Sequence, residues 1–185
     1  MRSLISLAVT AGLLAACITS PSHTADPARF DFNSPTDNLP PGYGVADVEV
    51  SAPTWLATGA MQYRLNYADR ARRFDYADSR WVAPAPELLS QALDRRLAGP
   101  TGGRCRLRIE LDEFIQVFET PTSSKIVLAG RAILNGSAEI GRRSFSFAQA
   151  AATPDASGGV TAATTVVKTL GDELAAWIGQ AEACR

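Results

Sequence analysis

The chain has 185 residues, 46% of them hydrophobic and 20% charged, with a formal charge of −1 at pH 7. That is ordinary globular composition with apolar material for one core, so one domain is expected. With no net positive field, nothing in the composition draws the protein to nucleic acid, which is not an expected partner.

Met1-Arg2-Ser3 supplies a short positive start, and Leu4 to Leu14 an uncharged apolar run broken only by Ser6, Thr10 and Gly12. This reads as an export signal over residues 1–16, too short to span a hydrocarbon core that needs about 20 apolar residues. Leu14-Ala15-Ala16-Cys17 resembles the lipobox of bacterial lipoproteins, which implies cleavage before Cys17 and acylation there. Ordinary cleavage near Ala16 is the alternative. Each buried methylene contributes about 0.8 kcal/mol, so several acyl chains on Cys17 would anchor the protein stably without spanning the membrane. Ile18 stands where lipoproteins retained in the inner membrane of enterobacteria carry Asp, so the resemblance favours the outer membrane, facing the periplasm, over the inner.

Residues 17–44 are rich in Pro, Ser, Thr, Asp and Asn and show no sustained period, which reads as a polar tether with a reach of about 80 Å. Phe30 and Phe32 could pin its later part to a partner or, as the preferred reading, to the chain's own domain, expected over residues 45–185. Val45, Val48 and Val50 mark a first strand. Met61, Tyr63, Leu65 and Tyr67 alternate with Gln62, Arg64 and Asn66, and Phe74 and Tyr76 continue the alternation after a polar turn, the pattern of a hairpin. Pro84 and Pro86 open a helix with Glu87 in its first turn and Leu89, Ala92, Leu93 and Leu97 as its stripe; Gly99-Pro100 stops it.

After Gly102-Gly103, Cys105, Leu107, Ile109 and Leu111 face one way and Arg104, Arg106, Arg108, Glu110 and Asp112 the other. Beyond Glu113 the phase blurs, predicting a bulge or a stretch buried on both faces. Lys125–Leu134 and Arg143–Ala150 give two more strands, joined through Asn135-Gly136 and Gly141. A final amphipathic helix runs from about Gly159 to Gln180 on Val160, Ala163, Val167, Leu170, Leu174 and Trp177. The expected fold is mixed α+β (α/β): one compact domain, a mixed sheet of about six strands covered by two main helices.

Setting Cys17 aside for the lipid leaves Cys105 and Cys184 in an exported chain, and a structural disulfide between them is expected. Catalytic residues are not found. His23, the one histidine, lies in the tether, so a histidine-based triad and a two-histidine zinc site have no candidates; no metal or cofactor is expected beyond the lipid. Glu110, Asp112 and Glu113 could act as acid and base, but read more simply as a solvated strand face. Arg104, Arg106 and Arg108 form a cationic stripe suited to anionic headgroups or an acidic partner; the plainer reading pairs them with nearby carboxylates. Trp55 and Trp81 read as core anchors.

Val48-Glu49-Val50, Pro53, Leu56, Tyr63-Arg64, Tyr76, Arg80-Trp81, Pro84, Pro86, Leu88-Leu89 and Leu93 together resemble the ABC-type transport auxiliary lipoprotein family, which includes the lipoprotein of the paraquat-inducible system. The resemblance covers roughly Val45 to Leu97 and fits the rest loosely. It implies a membrane-anchored periplasmic adaptor beside a mammalian-cell-entry-type channel protein and an ABC permease and ATPase, moving lipids or other hydrophobic cargo, and it is compatible with a homo-oligomer. The residues leave open a lipid-binding carrier and a cell-wall-synthase activator.

Overall fold

In a computed structural model, the residues described are 26–32, 45–98 and 103–184. The leader, Cys17, His23, most of the tether, Gly99-Pro100 and Gly102 lie outside them.

The sheet is organised by β5 (Cys105–Thr120), sixteen residues long. β6 (Ser123–Asn135) pairs with it antiparallel along its length, and β7 (Glu139–Ala150) pairs antiparallel with β6. On its other side two short strands share one edge, both parallel to it: β2 (Val45–Ser51) beside Cys105–Glu110 and β3 (Ala60–Leu65) beside Gln116–Phe118. β3 turns into β4 (Asp69–Trp81) as the expected hairpin, with Tyr67 in the exposed turn rather than on the strand. β1 (Ala28–Phe30) runs parallel to the end of β4, giving the order β1-β4-β3-β5-β6-β7 with β2 beside β5. The sheet is therefore mixed, as expected, with seven strands.

The strand beyond the expected six comes from the tether. Phe32 is 3% exposed, its ring centroid 5.2 Å from that of Trp81 and 5.9 Å from that of Phe114, and its carbonyl accepts from Thr164 Oγ1 at 2.9 Å. A short apolar pair in a Pro- and Asp-bearing stretch is enough when the core supplies an aromatic slot. With Ala28–Phe32 tied to the domain, the stretch from Cys17 to Ala28 can span at most about 36–40 Å.

Both helices cover one face. α1 (Ala85–Leu97) starts behind Pro84, carries Pro86 and Glu87 in its first turn and buries Leu88, Leu89, Leu93 and Leu97. α2 (Ala156–Gly179) starts three residues before the expected Gly159, because the Asp155 carboxylate caps it, accepting from the Gly158 N–H at 2.7 Å. The helices join through an Arg96–Asp172 ion pair. Their leucines share one core with Leu107, Ile109, Leu128 and Leu134 of the sheet.

The blurred phase of β5 has both predicted causes. The ladder slips a residue between Leu111 and Glu113, so Phe114 and Gln116 turn to the helices; Ile115 and Val117 face the other way and are buried too. Gly130 lies opposite this bend, where a Cβ would run into the Glu110 carbonyl beside the Phe145 ring. Gly141, expected in a turn, sits inside β7.

Candidate functional site

Alternation directs Arg104, Arg106 and Arg108 to the face away from the helices, and all three are exposed. Carboxylates accompany two of them. Arg106 Nε lies 3.3 Å from Asp47 on the parallel neighbour β2, and Arg108 lies 3.8 Å from Glu110. Arg131 from β6 reaches Glu110 at 3.5 Å and Asp112 at 3.3 Å, and Arg142 reaches Glu139 at 3.1 Å. The stripe is thus a lattice of alternating charge, its pairs too exposed to add much to stability. Of the partners the sequence suggests, Glu110 meets Arg108, Asp112 meets Arg131 and none of the stripe, and the neighbouring strand supplies Asp47, whose identity follows from the parallel pairing of β2.

The third carboxylate of the acidic group behaves differently. Glu113 accepts from Arg73 at 2.7 Å and from Arg64 at 3.3 Å, while Arg73 also donates to Gln62 at 3.1 Å. The Arg73 guanidinium lies 4.3 Å from the centre of the Trp55 ring. Trp55 is 44% exposed, so it is not the core anchor expected of it; it sits on the loop between β2 and β3 as a platform for Arg73. Trp81 is buried and stacks on Phe114 at 5.6 Å.

Gln116, in an otherwise apolar run, is 2% exposed and fully engaged. It accepts from the Tyr76 hydroxyl at 3.1 Å and donates to Ser124 Oγ at 2.8 Å and to the Asp155 carbonyl at 3.0 Å. Burial, with Tyr63 adding, pushes the Tyr76 hydroxyl well above its ordinary range. The Gly158 N–H and the Thr153 hydroxyl hold the Asp155 carboxyl below its ordinary value. Gly159 has no room for a Cβ against the Gln116 amide, so helix and sheet meet here at backbone distance. This network fixes where α2 begins. The polar residue inside an apolar strand was the sequence signal for it, and reading by periodicity alone passed over it.

Cys105 and Cys184 are bonded across 79 residues, with Cα atoms 5.3 Å apart and both side chains buried. The bond ties the 3₁₀ turn Glu182–Cys184 to β5 and contributes about 4–5 kcal/mol by loop-closure reasoning. Among the described residues, the space between Met61, Tyr76, Trp81, Phe114 and Gln116 is ≈ 10 Å³, about one water. An open groove of ≈ 360 Å³ lies between Arg104, Ala183 and the β6–β7 turn at Gly136–Ile140. No helix among the described residues is long and apolar enough to cross a membrane.

This architecture is found in solved structures. A protein from Xanthomonas campestris described by the family model DUF330 aligns with a TM-score of 0.66 at 17% identity, over 84% of this chain and 97% of that one. A second crystal structure, described as an uncharacterized protein, aligns with a TM-score of 0.65 at 16% identity, over 83% of this chain and 99% of that one. At these identities the likeness is one of fold. No family model and no curated protein matches the sequence.

Proposed function

We propose that this chain is a lipoprotein, acylated at Cys17, whose domain acts as a periplasmic adaptor of an ABC-type transport system with a mammalian-cell-entry-type channel protein. It would be a member of the ABC-type transport auxiliary lipoproteins, held at the outer membrane and passing lipids or other hydrophobic cargo through its partners. The observation that carries the reading is the anchoring of β1. Only residues 18–27 separate Cys17 from Ala28 on the sheet, so acylation would hold a rigid domain within about 36–40 Å of the bilayer.

The described surface supports an adaptor. Arg106, Arg108 and Arg131 pair with carboxylates on the same face, the buried Gln116 is spent on placing α2, and the space between Met61, Tyr76 and Trp81 is about one water in size. Growth on radiolabelled palmitate tests the anchor. Label is expected on the wild-type polypeptide and absent from Cys17→Ser; an unlabelled wild type would defeat the proposal.

A further inference from the structure

The two lateral edges of the sheet differ in a way the adaptor reading does not use. We propose that the open edge of β7 seats an extended segment of a partner protein, which joins the sheet as a further strand. That segment would carry apolar side chains at every second position and a carboxylate level with Arg143. The inference deepens the adaptor reading and rests on it for the partner's identity.

Hydrogen-bond parity defines the edge. The Ala151 N–H donates to the Ser124 carbonyl at 2.9 Å, and the register runs unbroken from Lys125↔Ala150 to Leu134↔Gly141. Gly141, Arg143, Phe145, Phe147 and Gln149 therefore carry the ladder to β6. Arg142, Ser144, Ser146 and Ala148 direct their N–H and C=O groups the other way, where no strand lies among the described residues.

Exposed edges are ordinarily blunted by Pro, charge, bulges or brevity. β1 has three residues, and the outer side of β2 is met by α1, whose Ser90 hydroxyl donates to the Val48 carbonyl at 2.5 Å. β7 from Ser144 to Ala150 has none of these devices. Its side chains on the open face are Ser144, Ser146 and Ala148, too small to obstruct an incoming strand. On the helix side Phe145 and Phe147 are half-buried, with ring centroids 6.0 Å apart, so residues placed beside them gain by being apolar.

Charge selects the occupant. Arg142 is matched by Glu139, whereas the Arg143 guanidinium lies 5.1 Å from the Trp177 ring centre and has no carboxylate among the described residues. A second copy pairing its own β7 about Ser146 would bring Gln149 opposite Arg143 and leave that cation unmatched. An acidic extended segment matches it.

The test uses the full chain in mild detergent and a synthetic peptide alternating Val and Thr that ends in Asp. Hydrogen exchange at Ser144, Ser146 and Ala148 should slow about tenfold or more with peptide, while Phe145 and Phe147, already bonded to β6, stay unchanged. Ser146→Pro removes one outward N–H without touching the ladder and should abolish the effect; a Lys-ended peptide should bind several-fold more weakly. Unchanged exchange at saturating peptide, equal binding by Ser146→Pro, or self-association that protects these amides without peptide would each overturn the proposal. If Ser146→Pro still co-purifies with the transport subunits, the edge is refuted and the adaptor stands. If the peptide binds and wild type retains no subunit, the edge stands without the adaptor.

Discussion

The β1 and β7 edges of this sheet are treated in opposite ways. β1 offers three residues of pairing, yet Phe32 beyond it is locked among Trp81, Phe114 and α2, so a little backbone is held by a buried ring. β7 runs in regular register from Gly141 to Ala150, with its helix-side rings only half-buried and its outward amides unpaired among the described residues. The lesson is that edge length and edge strength are separable. One edge is built to be tied down, the other to remain available.

The largest expected effect comes from breaking β7 internally. Phe147→Pro removes a ladder N–H and a ring that packs on the core, and should cost about 4 kcal/mol or more in urea unfolding. Ser146→Pro, one residue away, should cost under about 1 kcal/mol, because its N–H faces outward. Similar losses for the two would erase the parity on which the contrast rests. Phe32→Ala should follow at about 3–4 kcal/mol, a cost set by its burial; a loss under 1 kcal/mol would show that β1 is only draped on the sheet.

Much of this contrast was beyond the sequence, for identifiable reasons. β5, β6, β7, α1 and α2 announce themselves because long periodic runs average out local exceptions, and the prolines at 84 and 86 mark a helix start. Phe30 and Phe32 were legible as a pin to the domain, but they carry no period, so the strand β1 beside them was not, and their slot is built by other segments. The sharing of one edge of β5 by β2 and β3 is long-range and left no local mark, so Asp47 could not be matched to Arg106. Trp55 misled because size suggests burial, whereas its loop places it under Arg73 in solvent. The acidic group was visible as residues, but its division into a lattice partner for Arg131 and a clamp for Arg64 and Arg73 depends on the slip at Leu111.

Smaller effects sharpen the picture at the start of α2. The Asp155 carboxyl is held below its ordinary value of 3.8, so its stabilisation is complete above that value and is lost as the pH falls through it toward the folded-state value. Asp155→Asn should therefore flatten the acid side of the melting-temperature profile below the ordinary carboxylate value, and an unchanged profile would remove the cap from the account. Smallest of all, a double-mutant cycle on Arg106 and Asp47 should give a coupling within about 0.5 kcal/mol, as suits an exposed pair. A coupling above 2 kcal/mol would mean that the cationic stripe is a structural element after all.

Affinity purification of the full chain from membranes in mild detergent, through a C-terminal tag, tests the central claim most directly. The account predicts that wild type retains a mammalian-cell-entry-type channel protein with its ABC permease and ATPase, and that Cys17→Ser, folded but unanchored, retains them poorly. A wild-type preparation that is acylated, folded and free of all three would contradict it.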